Sequence, residues 1–154
     1  MIMLIHGGPF ADSPADMFLI QRNYLLLQGY CLLVVNYRGS YGYGSDFLES
    51  LLGHIGSRDV EDCGDLTRKA LEKFGDIVDD KRVGVEGGSH GGFMTGWLIG
   101  HPAYKDMWAA AGIWNGVLDM SYMVQSTDIP DWIFACCSNK ELSNFGEITV
   151  EDNK

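Results

Sequence analysis

Basic residues are scarce in this chain, where 11 lysines and arginines stand against 21 aspartates and glutamates, giving a formal charge of −10. Nucleic acids and anionic membrane surfaces are bound by clustered lysine and arginine side chains. The few basic residues here are scattered along the sequence, so we expect no nucleic-acid partner. Acidity excludes these classes of partner and leaves most other functions open.

Cysteine and histidine are also few, with four residues of each. The cysteines are Cys31, Cys63, Cys136 and Cys137, and no two of them form a CxxC pair. This spacing is typical neither of a disulfide framework nor of a zinc site. We therefore expect reduced thiols, no bound metal, no cofactor and a cytoplasmic location.

Long hydrophobic runs are lacking as well. The apolar run at residues 1–5 is the start of the chain, whereas a membrane-spanning helix needs about 20 apolar residues. No basic segment precedes this run, as it does in a signal peptide. We expect no membrane segment, and the absence of repeats and proline-rich linkers favours a single domain.

Short apolar runs are what the sequence does contain, at residues 2–5, 31–35, 82–85 and 109–113. Such runs without alternation fit strands that are covered on both faces. Helix-length segments lie between them, at residues 15–28, 58–74 and 91–101. This order predicts an α/β protein with a mostly parallel sheet and helices on both faces. Residues 117–154 are patterned more weakly, and we expect them to be partly irregular.

The segment Gly87-Gly88-Ser89-His90-Gly91 lies between a predicted strand and a predicted helix. This is the setting of a nucleophile elbow, a sharp turn that raises a serine hydroxyl above the strand ends. Such a turn imposes an unfavourable backbone angle on the serine and leaves no room for side chains at 87 and 91. The pattern predicts Ser89 as a catalytic nucleophile. The alternative is a glycine-rich turn that binds phosphate or merely closes tightly.

Acyl transfer also needs backbone N–H groups that stabilise negative charge on the substrate carbonyl oxygen. The N–H of His90, at the start of the helix after the serine, is one candidate donor. A second is expected in His6-Gly7-Gly8-Pro9, which follows the first strand. Pro9 has no N–H, so Gly7 or Gly8 must donate, and we favour Gly8. Alone, this tetrapeptide is typical of an ordinary turn.

Together these motifs resemble the catalytic domain of the prolyl oligopeptidase family. They occur in the order His6-Gly7-Gly8-Pro9, Asn36-Tyr37-Arg38-Gly39-Ser40, Asp59-Val60-x-Asp62 and Gly87-Gly88-Ser89-His90-Gly91-Gly92. Within that family, the sequence STDIPDW at residues 126–132 resembles the acylaminoacyl peptidase branch. The resemblance covers nearly the whole chain up to about residue 132.

The resemblance implies a partial α/β-hydrolase fold and a serine peptidase that forms an acyl-enzyme at Ser89. Its substrate would be an N-acylated peptide, from which it releases the acylated first residue. The resemblance also implies a homo-oligomer and a β-propeller in the full-length protein. In this fold the triad aspartate and histidine follow the serine on later loops. We therefore expect residues 1–154 to be an incomplete catalytic domain, truncated at both ends.

Two alternatives to this function stay open at the level of sequence. The chain is a catalytically incomplete fragment or binding module, or it is an esterase of the same fold. Three further residues are candidates for substrate binding. Tyr37 and Arg38 follow the second strand at the sheet edge where ligands bind, and Trp132 follows the fourth. For Tyr37 and Arg38, an equally good interpretation is that they stabilise their loop through hydrogen bonds.

Overall fold

The computed structural model describes residues 1–14 and 16–138. Within this part, four strands form one parallel sheet in the order β2-β1-β3-β4. The strands are β1 (Ile2–Ile5), β2 (Leu32–Val35), β3 (Gly84–Gly88) and β4 (Ala110–Trp114). Ile5 pairs with Val35 on one side and with Gly87 on the other. This register brings the ends of β1, β2 and β3 to one edge of the sheet.

Helices connect and follow these strands. They are α1 (Ile20–Leu27), α2 (Ser45–Glu49), α3 (Arg58–Phe74), α4 (His90–Gly100), α5 (Met120–Ser126) and α6 (Pro130–Ser138), with a 3-10 turn at Lys105–Met107. The connection through α1 leads from β1 to the edge strand β2, and those through α3 and α4 lead in the opposite direction, toward the edge strand β4. Right-handed crossovers therefore place α1 on one face and α3 and α4 on the other. The predicted parallel sheet with helices on both faces is confirmed.

The core lies between the sheet and the face of α3 and α4. Met3 and Val85 from the strands pack there with Met94 and Leu98 from α4. The sequence of α3 explains how this helix packs on the sheet, because its buried positions recur at helical spacing and form one face. These positions are Asp59, Val60, Cys63, Gly64, Thr67 and Ala70. No helix in residues 1–14 and 16–138 is both long and apolar enough to cross a membrane.

The starts of α1 and β3 differ from the predicted ones for local reasons. Helix α1 begins at Ile20 rather than at residue 15. The chain before it is fixed by other contacts, since Ser13 N–H donates to Asn36 Oδ1 and Arg22 donates to the Pro14 carbonyl. Strand β3 begins at Gly84 rather than at residue 82. There, Arg82 N–H still belongs to the preceding turn, where it donates to the Asp79 carbonyl.

Two helices, α5 and α6, form within residues 117–154, the segment that the sequence predicted to be partly irregular. Asp119 caps the first of these helices, since its Oδ1 accepts the N–H of Tyr122 at 2.9 Å. Pro130 is the first residue of the second, a position where the missing N–H costs nothing. Both signals are visible in the sequence. The rest of this segment, residues 139–154, lies outside the described residues.

Candidate active site

Ser89 lies at the turn between β3 and α4. Its backbone has φ 55° and ψ −121°, a conformation that residues with side chains rarely adopt. The turn is fixed from two directions, because Ser89 N–H donates to the Trp114 carbonyl and Phe93 N–H donates to the Ser89 carbonyl. A strained serine between a strand and a helix is the geometry typical of a nucleophile elbow.

The glycines beside Ser89 are required by close backbone packing. A Cβ on Gly87 would overlap with the backbone of Gly91. A Cβ on Gly91 would overlap with the Ile5 carbonyl oxygen and would lie 3.0 Å from the His6 carbonyl oxygen. These neighbours are backbone atoms, which cannot rotate away as a flexible side chain can. The turn after β3 can therefore approach the end of β1 only with glycine at both positions.

The loop after β1 reaches the elbow directly. A Cβ on Gly7 would lie 3.3 Å from Ser89 Cβ and 3.9 Å from Ser89 Oγ. Gly8 has φ 140°, a backbone conformation that favours glycine. His90 is the first residue of α4, and the first N–H groups of a helix lack intrahelical partners and carry its positive dipole end. The two predicted donor segments thus lie together around the serine.

The imidazole of His90 turns into the interior and is held there by Asp59. The two side chains are 4% and 0% exposed, and His90 Nε2 donates to Asp59 Oδ2 at 2.8 Å. Asp59 Oδ1 accepts the backbone N–H groups of Gly56 at 2.8 Å and of Val60 at 2.9 Å. Three N–H donors therefore satisfy this buried carboxylate, which in turn fixes the ring at the start of α4.

His6, which is half-buried, belongs to a second group of polar side chains beside the loop that carries Gly7 and Gly8. Its Nδ1 lies 2.7 Å from the Gly7 carbonyl oxygen, and its Nε2 lies 2.9 Å from Ser40 Oγ. Because a carbonyl can only accept, Nδ1 carries the proton. In the neutral ring Nε2 then accepts the Ser40 hydroxyl proton. The Tyr37 hydroxyl donates to the His6 carbonyl oxygen at 3.1 Å.

The burial of His6 predicts a pH dependence of stability. Burial lowers the pKa of His6, although its bond to Gly7 and the charge of Asp12 oppose this shift. The unfolded chain then takes up the proton first, starting near pH 6.5. His6 therefore contributes its full stability above about pH 6.5 and loses it as the pH falls toward the folded pKa, by at most about 1.4 kcal/mol per pH unit.

The measurement is the free energy of unfolding of native protein and of His6→Gln between pH 8 and pH 5. Native protein should lose more stability than the variant over the acidic part of this range, since glutamine cannot titrate. Other groups contribute equally to both curves and cancel in the difference. Parallel curves would show that His6 does not contribute to the pH dependence.

The prediction that Tyr37 contacts substrate is wrong in the structure. Its side chain is 0% exposed and belongs to the core cluster, so it has no surface to offer a ligand. Its ring stacks on His6 with centroids 4.4 Å apart and lies 5.9 Å from the ring of His90. Burial also raises the pKa of Tyr37 far above its ordinary value. The loop-stabilising interpretation describes its observed contacts.

Arg38 is bound to α3. Its Nε donates to Asp62 Oδ2 at 2.8 Å, and its terminal nitrogen donates to the Arg58 carbonyl at 3.1 Å. Glu61 lies 3.6 Å from the same guanidinium, and the hydrogen bond with Asp62 raises the pKa of Arg38. These contacts stabilise the loop after β2. Direct contact of Arg38 with substrate stays a prediction.

A cavity of about 460 Å³ lies beside α4. Phe93 and Trp97 line it from α4, and Ile133 and Phe134 line it from α6. This volume is within the range of small-molecule sites, about 300–1,000 Å³. Trp132 is the neighbour of these α6 residues and is 41% exposed. Its role as a wall of a substrate pocket stays a prediction, whereas the contribution of α6 to a pocket is observed.

Neither histidine near Ser89 is free to act as its base. His90 Nε2 is bound to Asp59, and His6 Nε2 is bound to Ser40. Sequence reasoning quoted Asp59 only as part of a motif and missed its contact with His90. Among residues 1–14 and 16–138, no cluster of three or more histidine, cysteine or acidic side chains could hold a metal ion.

A family model described as the prolyl oligopeptidase family matches residues 17–148 of the chain. The acylamino-acid-releasing enzyme of Arabidopsis thaliana is 48% identical over 134 residues, which are 87% of this chain and 17% of that protein. The acylamino-acid-releasing enzyme of Homo sapiens is 38% identical over 132 residues, which are 86% of this chain and 17% of that protein. The chain therefore spans less than a fifth of the length of these curated relatives.

Solved structures of acylaminoacyl peptidases share the fold. The enzyme of Pyrococcus horikoshii matches with a TM-score of 0.83 and 26% identity, over 99% of this chain and 23% of that one. Another acylaminoacyl peptidase, solved in complex with Z-Gly-Gly-Phe-chloromethyl ketone, matches with a TM-score of 0.81 and 28% identity, over 99% of this chain and 23% of that one. The fold class predicted from the sequence is confirmed.

Proposed function

Because the chain belongs to the prolyl oligopeptidase family, we propose that it is the nucleophile-bearing part of a serine peptidase that releases N-acylated amino acids from peptides. The observation that supports this most is the strained backbone of Ser89 between β3 and α4, with the Gly7-Gly8 loop against it. The names of the similar enzymes supply the substrate class.

In the proposed reaction, Ser89 Oγ attacks the carbonyl carbon of the acylated first residue. Its proton passes to a histidine base, and the carbonyl electrons move onto oxygen. The N–H groups of His90 and Gly8 stabilise that oxyanion. Collapse then expels the amine of the following residue, which takes the proton, and leaves an acyl-enzyme. Water releases the acylated amino acid in the second half of the cycle.

The base and its orienting carboxylate are proposed to lie outside the described residues. In α/β-hydrolases the chain order is serine, then acid, then histidine. The histidines before Ser89 do not fit this order, His90 is bound to Asp59, and no acidic residue stands between Ser89 and His101. The similar enzymes are longer than this chain, which leaves room for both groups. A homo-oligomer and a cytoplasmic location stay predictions of the resemblance.

The cavity beside α4 is the proposed site for an apolar part of the substrate. Leu118 and Val124 add to the aliphatic and aromatic lining from α4 and α6. The cavity is also lined by polar residues, among them His54, Asp119 and Ser121, so only its apolar wall suits an uncharged acyl group. Trp132, the neighbour of the lining residues of α6, is proposed to border this cavity. Arg38 lines a separate depression beside the loop after β2, where it is proposed to contact a more distant part of the substrate.

Substrate selectivity of the full-length gene product tests this proposal. We expect the acetylated peptide to be cleaved with a kcat/KM at least about tenfold above that of the same peptide with a free amine. An esterase of the same fold would hydrolyse a p-nitrophenyl ester and leave both peptides intact. A binding module would hydrolyse none of them. Purified residues 1–154 should be inactive toward acetyl-alanine p-nitroanilide, since the proposed base is absent there.

A further inference from the structure

The oxyanion donors proposed for Ser89 lie on two segments that are far apart in sequence. One donor segment follows β1 and the other begins α4. A donor stabilises the developing oxyanion only if it is placed correctly before the reaction, and a displacement of about 1 Å costs on the order of 100-fold in rate. Something must therefore set the spacing between Gly8 and His90.

Tyr37 is in contact with both donor segments. Its hydroxyl donates to the His6 carbonyl oxygen at 3.1 Å, directly before Gly7, and its ring stacks on the His6 ring at 4.4 Å. The same ring lies 5.9 Å from that of His90, at 42° to it. The phenol is completely buried, so packing leaves it little freedom to shift.

The far side of His90 is fixed as well. Asp59 accepts from His90 Nε2 at 2.8 Å and is tied to the start of α3 by the N–H groups of Gly56 and Val60. The ring of His90 also contacts that of Phe93, at 5.3 Å between centroids. The row His6, Tyr37, His90 and Asp59 therefore runs without a gap from the loop after β1 to α3.

From this row we infer that Tyr37 is a positioning residue that sets the distance between the two oxyanion donors while never touching the substrate. The inference rests on the proposed function in placing those donors at Gly8 and His90. Contacts with an oxyanion form only as the reaction proceeds, so a positioning residue affects kcat and leaves KM nearly unchanged. A residue that merely stabilises the fold moves neither constant in the folded enzyme.

The test compares Tyr37→Leu and Tyr37→Phe in the full-length gene product with acetyl-alanine p-nitroanilide. Tyr37→Leu removes the ring, and we expect kcat to fall about 30- to 100-fold with KM within about twofold of native. Tyr37→Phe keeps the ring and loses the bond to the His6 carbonyl, and its kcat should fall about three- to tenfold. Binding of acetyl-alaninal, whose adduct with Ser89 carries an oxyanion, should weaken in the same order.

The matched control is Tyr104→Leu. Tyr104 is 5% exposed and stacks on His101 at 4.9 Å, and its hydroxyl donates to Asp65. This variant loses a buried ring of equal size away from Ser89, so its melting temperature should fall while its kcat stays native. A similar loss of kcat in Tyr104→Leu would overturn the inference, because it would reflect general destabilisation.

Two further outcomes are decisive. Native kcat and native aldehyde affinity in both Tyr37 variants would overturn the inference. If Tyr37→Leu fails to fold, Tyr37→Phe alone decides on the same criterion.

The rate of Ser89 phosphonylation by a fluorophosphonate is read in parallel, since the phosphonyl oxygen is stabilised by the same proposed oxyanion donors. Native labelling without peptide hydrolysis would refute the proposed substrate, and the variants' labelling rates would still decide the role of Tyr37.

Discussion

Replacement of Ser89 by alanine is expected to abolish covalent labelling by a fluorophosphonate and to lower kcat at least ~10⁴-fold in the full-length gene product. In the labelling step Ser89 Oγ attacks phosphorus, fluoride leaves with the bonding electrons, and the hydroxyl proton passes to the base. Alanine has no nucleophilic oxygen, so neither the phosphonylated nor the acylated enzyme can form. The measurements are in-gel fluorescence of the probe and steady-state hydrolysis.

Ser126→Ala is the control for this experiment. Ser126 ends α5, where its hydroxyl donates to the Tyr122 carbonyl, and its loss should change neither labelling nor turnover. The melting temperature of Ser89→Ala should stay close to native, because the change removes one oxygen from a folded turn. Undiminished labelling of Ser89→Ala would show that the probe reacts elsewhere and that Ser89 is not the nucleophile.

The strands, helices and turns that could be predicted from the sequence are those determined by residues close together in the chain. The runs that became β1 and β2 and the turn around Ser89 are local patterns, in which strand formers, glycines and a helix start follow one another. For the same reason α5 and α6 were predictable in principle, because Asp119 and Pro130 occupy a cap and a first helical position. The weak hydrophobic periodicity that follows residue 117 obscured these signals.

The parts that sequence did not predict depend on contacts between distant residues. Tyr37 follows β2 at the edge where ligands bind, and only its packing against His6 and His90 shows that it points into the core. The partnership of His90 with Asp59 spans 31 residues. No local sequence pattern predicts either contact, because both depend on which distant segments of the chain pack against these residues.

Gly91→Ala is expected to destabilise the protein by about 3 kcal/mol or more. Its Cβ would overlap with the Ile5 carbonyl oxygen, and Ile5 is paired with both β2 and β3. The sheet would have to separate or the start of α4 would have to move. Either change displaces His90 and Ser89, so labelling by the fluorophosphonate should also slow in whatever fraction stays folded. The melting temperature and the labelling rate measure the two effects.

Gly100→Ala is the matched control, because the same substitution is made in the same helix at a position with open space. A Cβ on Gly100 would meet no atom within 4 Å, and alanine favours helix over glycine by up to about 1 kcal/mol. This variant should be as stable as native protein or slightly more stable, with unchanged labelling. Equal melting temperatures and equal labelling rates in Gly91→Ala and Gly100→Ala would show that the close approach of α4 to β1 does not require glycine at position 91.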